Sequence, residues 1–143
     1  MQFVDSAACV AYNGQLHRWR LHAGTVGEIY LQLYRPVGDV DGGGFALVHS
    51  EAHTVVAPGA QAFQPGRDGT PLDVQRGDCI GWYAPVGGMV RYDFPPSGVG
   101  GCKTVGVSDN VRVAPAIGSV FHPRRFVRWH FSLQAFVAPA KGA

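Results

Sequence analysis

The side chains able to do chemistry in this chain are six histidines, ten acidic residues and a run of arginines. His49, Glu51 and His53 alternate, so on an unbroken strand all three would share one face. Two imidazoles flanking a carboxylate are ligands a divalent metal could use. With no third histidine nearby in sequence, the plainer reading is adopted: the polar outer face of a strand, and no bound metal. His17 and His22, five positions apart, belong to opposite faces of theirs. Asp39 and Asp41, in the glycine-rich run Gly38 to Gly44, could offer oxygens to calcium. Two carboxylates fall short of the roughly six to eight oxygens calcium takes. The expectation is therefore no cofactor, with calcium as the one candidate.

Catalytic patterns are absent from the sequence. Ser, His and Asp occur, but no G-x-S-x-G elbow, phosphate loop or dinucleotide fingerprint does. Asp73 and Asp78 are close in sequence, yet both flank a turn that needs such residues anyway. Arg76-Gly77-Asp78 spells an integrin-recognition tripeptide. It is read here as a strand-connecting turn, since a tight corner would hide the aspartate. The chain is expected not to be an enzyme.

Recognition is better represented. Tyr30, Gln32 and Tyr34 alternate on what reads as one outward face, with Ile29, Leu31 and Leu33 inward. Arg18, Arg20 and His22 share a face of their strand, and Arg128, His130 and Gln134 share a face of another. If those two strands pair, the polar rows merge into an Arg/His patch. Aromatic rings that stack on sugars, beside Arg and Gln donors, are the ingredients of a glycan site; Tyr, Trp and Arg are equally the currency of protein interfaces. Of the 12 basic residues only Lys103 and Lys141 are lysine, leaving ten arginines. The forked guanidinium suits carboxylates and sulfates better than an ammonium does. The predicted ligand-binding residues are Tyr30, Gln32, Tyr34, Arg18, Arg20, Arg128 and His130.

The elements that must position these groups are short strands. Leu72 and Val74 alternate with Asp73 and Gln75, Arg76-Gly77-Asp78 turns, and Cys79 to Tyr83 resumes as an apolar strand, a hairpin-like corner. Leu16 to His22 is a strand with Trp19, Leu21 and His17 on one face. Glu28 to Arg35 is another, stopped by Pro36, which cannot donate to a ladder. Phe45 to Val56 holds one or two strands with a break near Ser50-Glu51, and Pro58 to Pro71 reads as a long loop. From Phe126 to Val137 the alternation is the clearest in the chain, with Val127, Trp129, Phe131, Leu133, Ala135 and Val137 on one face. Its predicted partner is the Trp19 strand, and Trp19, Trp82, Trp129 and Phe131 are the predicted core.

No apolar residues recur at helical spacing over three turns. Gly 20 and Pro 10 are scattered as punctuation, which favours many short strands. The predicted fold is all-β: one antiparallel β-sandwich over residues 1–143, core about 9–137, jelly-roll-like, with little or no helix. Hydrophobic residues at 46% and charged ones at 15% mark an ordered chain long enough for its own core. A formal charge of +2 gives no reason to expect nucleic acid, and no stretch is apolar for long enough to span a membrane as a helix. Cys9, Cys79 and Cys102 are an odd set without a C-x-x-C pair, compatible with one disulfide and a free thiol or with full reduction. The segment from Met1 lacks a basic region followed by an apolar one, so no signal peptide is expected there. That leaves an intracellular protein, or a module or mature fragment of a longer chain.

The runs Gly-x-Ile-Tyr-Leu-Gln-Leu-Tyr-Arg-Pro from Gly27, Val-Gln-Arg-Gly-Asp-Cys-Ile-Gly from Val74 and Ser-Leu-Gln-Ala-Phe-Val from Ser132 together resemble jelly-roll modules of large extracellular and surface proteins. The resemblance spans about Leu16 to Val137. It implies a non-catalytic recognition or structural role at an extracellular or cell-surface location within a larger chain or assembly. Its expected partners are a glycan or protein surface, or self-assembly into a larger complex.

Overall fold

A chain with no helical period must make its backbone hydrogen bonds between strands. The computed structural model describes residues 1–38, 43–66, 68–93, 105–109, 111–128 and 130–140, with the side chains of Asp93 and His130 outside that description. The described residues form thirteen strands and no helix. In chain order these are β1 (Gln2–Cys9), β2 (Gly14–Ala23), β3 (Gly27–Val37), β4 (Gly44–Val55), β5 (Gly59–Phe63), β6 (Leu72–Val74) and β7 (Cys79–Tyr83). Then come β8 (Tyr92–Asp93), β9 (Val105–Ser108), β10 (Val120–Phe121), β11 (Arg125–Val127), β12 (His130–Phe131) and β13 (Leu133–Pro139).

Every pairing is antiparallel. One sheet runs β10-β4-β3-β7-β1-β9-β11; a smaller one runs β13-β2-β5, with β6 also on β2; β12 and β8 form a two-stranded ribbon. Leu16, Trp19 and Leu21 from the small sheet and Phe3, Ile29, Leu31, Leu33 and Trp82 from the large one belong to a single buried cluster. The all-β fold is thus observed, and two sheets sharing one core are consistent with the predicted sandwich. Phe3 stacks on Trp82 at 4.5 Å between centroids, and Phe131 meets Trp82 edge-on at 4.7 Å. Trp19 and Trp82 are buried as expected; Trp129 lies outside the described residues.

Several local expectations are corrected. The Leu72–Tyr83 corner is not a hairpin: β6 pairs with β2 in the small sheet and β7 with β1 and β3 in the large one, so the turn carries the chain between sheets. The terminal run is not one strand either, because β11 belongs to the large sheet and β13 to the small. The predicted partnership of the last strand with the Trp19 strand is present, Gln134 facing Arg20 and Ala135 facing Trp19. A bulge separates Phe136↔Arg18 from Val137↔Leu16. It inserts His17 as an extra residue, so Leu16 turns inward and His17 stays exposed, opposite to its predicted face. β4 continues through Ser50-Glu51 without a break, and β5 occupies part of the predicted loop. Its Gly-Ala-Gln-Ala-Phe composition carries little strand preference of its own; pairing with β2 supplies the order.

Pro36 does not stop its strand as predicted: β3 continues through it to Val37, with Pro36 facing Phe45 and Val37 facing Gly44. β7 pairs only with Tyr30 to Tyr34, so the missing N–H falls where β3 has β4 as its one neighbour.

Candidate functional site

The outer face of the small sheet gathers the chain's recognition chemistry. Arg18, Arg20 and His22 alternate on β2 away from the core, as predicted, with Trp19, Leu21 and Ala23 buried behind them. β13 brings Phe136 beside Arg18 and Gln134 beside Arg20. The Arg18 guanidinium lies 4.2 Å above the Phe136 ring, a cation–π contact that holds it flat on the sheet. On the other side β5 sets Ala62 against Arg20 and Ala60 against His22. Two methyl groups beside long side chains leave a depression. It encloses about 290 Å³ and is lined by Arg20, Leu21, His22, Ala60, Ser132 and Gln134.

Arg91 joins this face through backbone and side chain. Its N–H donates to the His22 carbonyl, and its own carbonyl accepts from Ser132. Its guanidinium Nη1 reaches His22 Nε2 at 3.4 Å. Among the described residues, Arg18, Arg20 and Arg91 have no carboxylate partner; the arginine ion pairs there are Arg35–Asp78 and Arg125–Asp109. Three guanidinium groups thus stand on one face without a carboxylate partner among the described residues.

The remaining predicted binding residues lie elsewhere. Arg128 is exposed just after β11, which pairs with β9 in the large sheet, and it lies outside β13, the strand that pairs with the Arg18–Arg20 strand. The continuous phase from 126 to 137 that would have brought it there is interrupted by the change of sheet. His130 pairs its backbone with Asp93 in the ribbon, and its side chain is outside the described residues. Tyr30, Gln32 and Tyr34 sit on the outer face of the large sheet, across the core from the arginines.

Of these three only Tyr30 reaches the surface, half-buried with its ring 5.7 Å from Tyr83. Gln32 and Tyr34 are fully buried, which corrects their predicted outward exposure. Val4, Tyr34, Phe45, Leu47, Cys79 and Phe121 form a second buried cluster. Its seat is Gly81: a Cβ there would lie 2.7 Å from the Tyr34 ring and 2.3 Å from the Phe3 carbonyl oxygen. The Tyr34 hydroxyl accepts from Gln2 Nε2 at 2.8 Å and donates to Gln32 Oε1 at 2.6 Å, and Gln32 Nε2 donates to Ser50 Oγ at 3.3 Å. Burial pushes the Tyr34 phenol far above its usual range. The chain from Gln2 to Ser50 satisfies the polar atoms that the second cluster encloses.

His49, Glu51 and His53 do share one face, but it is the face turned toward the small sheet, opposite Leu33, Leu31 and Ile29. The expected polar outer face is corrected accordingly. His49 Nε2 lies 2.7 Å from Glu51 Oε1, and His53 Nε2 bonds Oε2. Gly66 N–H donates to Oε2 at 3.0 Å, and the His53 ring stacks on Phe63. The Trp19 indole N–H, without a partner at full hydrogen-bond geometry, also favours the carboxylate. Burial alone would push the carboxyl up; the donors from His49, His53, Trp19 and Gly66 outweigh it and bring it down to about 2. Such a carboxylate is too weakly basic to take protons near neutrality, and its oxygens are already occupied. The described residues hold no group of three metal-ligating side chains placed around a common point. Asp39 and Asp41, the calcium candidates, are outside the described residues.

A second concavity, about 390 Å³, runs between the end of β1 and β13, lined by Cys9, Val10, Ile80, Leu133, Ala135 and Val137 among others. It is mostly apolar. Cys9 and Cys79, cross-strand partners in β1 and β7, form a disulfide at its edge. Cys102 lies outside the described residues.

No family model, curated protein or solved structure matches this chain. Among the described residues no helix is long and apolar enough to cross a membrane.

Proposed function

We propose that the protein is a non-enzymatic β-sandwich recognition module that binds a glycan on the outer face of its small sheet. The observation that carries this reading is the depression between Arg20, His22, Ser132, Gln134 and the Ala60 methyl. Forked donors, an amide and a hydroxyl converge there on an open, rigid floor of paired strands. Rigid sheet positions hold donors in place without an ordering cost on binding, which suits the weakly apolar surface of a sugar. Calcium and other cofactors have no part in this site. The test is a glycan array probed with the intact chain and with Gln134→Ala. The wild-type chain should bind a restricted set of sugars, and the variant should lose them while keeping its far-UV circular dichroism. Uniform absence of binding would exclude the reading.

A structural role in an assembly is the second reading, favoured by one surface. Val113, Ile117 and Val120 are 78%, 64% and 48% exposed on a single segment leading into β10, the edge of the large sheet. Exposed apolar side chains at a sheet edge invite pairing with another copy. Light scattering on the wild-type chain and on Ile117→Lys separates the readings: an oligomer dispersed by the lysine supports assembly through this edge, and a monomer in both cases removes it.

A further inference from the structure

Sugars differ in charge, and the outer face of the small sheet discriminates by charge. We infer that its depression takes an acidic sugar, one bearing a carboxylate or a sulfate; the inference rests on the glycan reading above and narrows it.

The reasoning starts from what a neutral-sugar site would need. Neutral hydroxyls both donate and accept, so a site matched to a neutral sugar gains from a carboxylate acceptor among its donors, and none lines this depression. This depression offers Arg20, Gln134, Ser132 and His22, with Arg91 at its rim through His22 and Arg18 one position along β2. Guanidinium groups only donate. A lone surface arginine normally costs little because water solvates it, but three on one face repel one another. Sheet residues two apart lie roughly 7 Å from each other, inside a Debye length at physiological salt. With no carboxylate partner among the described residues, an incoming anion supplies the missing counter-charge.

Geometry narrows the anion further. Arg18 is held against the Phe136 ring, and Arg20 lies between the Ala62 methyl and Gln134. A planar fork presents two parallel N–H groups, matching the two oxygens of a carboxylate or two of a sulfate. The depression is near the lower end of ligand-site volumes and suits one ring-sized group. The neutral donors Gln134 and Ser132 beside Arg20 would then engage ring hydroxyls, which a bare phosphodiester backbone lacks at that spacing. The net charge of +2 is likewise small for a surface that works by phosphate neutralisation.

The experiment is calorimetric titration of the intact chain with four probes at 0.15 M salt. A heparin hexasaccharide carries sulfate and carboxylate, an oligogalacturonate carries carboxylate alone, a cello-oligosaccharide is neutral, and a single-stranded DNA oligomer matches the heparin in charge. The expected result is binding of at least one acidic sugar at least tenfold tighter than both the neutral sugar and the DNA. Which acidic probe binds tells sulfate from carboxylate. Arg20→Ala should lower that affinity tenfold or more. Arg20→Lys, which keeps the charge and loses the fork, should still lower it several-fold. Arg124→Ala, an exposed arginine beside the large sheet, should leave it unchanged, and thermal unfolding should confirm that each variant is folded.

DNA binding as tight as the acidic sugars, or an Arg20→Ala variant with unaltered affinity, overturns the inference. Neutral sugar bound as tightly as acidic sugar, and lost in Gln134→Ala, also overturns it while the glycan reading stands. No binding of any sugar overturns both.

Discussion

Arg35 grips Asp78 with both arms of its guanidinium, Nε to Oδ1 at 2.8 Å and Nη2 to Oδ2 at 3.1 Å. Asp78 is 1% exposed, and its Oδ2 also accepts from the Gln75 backbone N–H at 2.9 Å. The carboxylate therefore locks the turn between β6 and β7 to the end of β3, at the point where the chain passes from one sheet to the other. Gly77, at φ 94°, supplies the left-handed turn conformation that this geometry needs. An aspartate buried in this way cannot present itself to a receptor, which agrees with reading Arg76-Gly77-Asp78 as a turn.

Asp78→Ala should destabilise the protein by about 1–3 kcal/mol, the range for losing charged hydrogen bonds when the orphaned partner remains wet. Arg35 keeps 41% of its side chain in solvent, which limits the loss. Urea unfolding of the variant checks the figure, and a midpoint equal to wild type would mean that the turn holds without its clamp.

Acid should find the His49–Glu51–His53 row first. Glu51 has its carboxyl lowered from 4.5 to about 2, so the folded state holds the ionised form more strongly than the unfolded chain does. That contribution is fully present above the unfolded value and is lost as pH falls from about 4.5 toward 2. Its size is on the order of 3 kcal/mol at most. Unfolding midpoints measured from pH 7 to 2 should drop across this window in the wild type, and Glu51→Gln should be less stable at pH 7 with a flatter profile below 4.5.

Gly81→Ala tests the second buried cluster. The added methyl meets the Phe3 carbonyl oxygen and the Tyr34 ring at distances real Cβ atoms do not show, and overpacking of this kind costs about 1–3 kcal/mol. Near-UV circular dichroism should report the displaced Tyr34, and chemical denaturation the lost stability. A variant indistinguishable from wild type in both would show that Tyr34 is not seated on Gly81.

The Cys9–Cys79 disulfide spans 70 residues, and the chain-entropy relation assigns a loop of that length about 4 kcal/mol. Reduction should lower the denaturation midpoint accordingly. Alkylation of the monomer without reductant should label Cys102 and spare the other two. Label on Cys9 or Cys79 would contradict the pairing.

Trp82→Ala should cost about 3–5 kcal/mol, as large core truncations do, because Trp82 stacks on Phe3 and meets Phe131 edge-on. Equilibrium unfolding measures it directly; a loss below about 1 kcal/mol would mean the two sheets do not share this core.

Much of this was legible in the residue order because strand alternation is a local property. The absence of helical period, the inward set Ile29, Leu31 and Leu33, the buried Trp19 and Trp82, and the outward Arg18, Arg20 and His22 all follow from side chains pointing alternately to two faces. The pairing of the last strand with the Trp19 strand followed from two regular strands each needing a neighbour. What local pattern cannot carry is the identity of the surface each face meets. Gln32 and Tyr34 read as outward and polar, yet Gly81 on a strand some fifty residues later leaves a seat that buries them. His49, Glu51 and His53 read as a wet outer row, yet β4 turns them toward Trp19 and Phe63 of the opposite sheet. Arg128 read as a neighbour of Arg18 because alternation looked continuous from Val127 to Val137. The crossing between sheets breaks that phase, and one bulge at His17 does the same in β2. Alternation sets sides within a strand; only the tertiary pairing, made of contacts between residues far apart in sequence, decides what lies on each side.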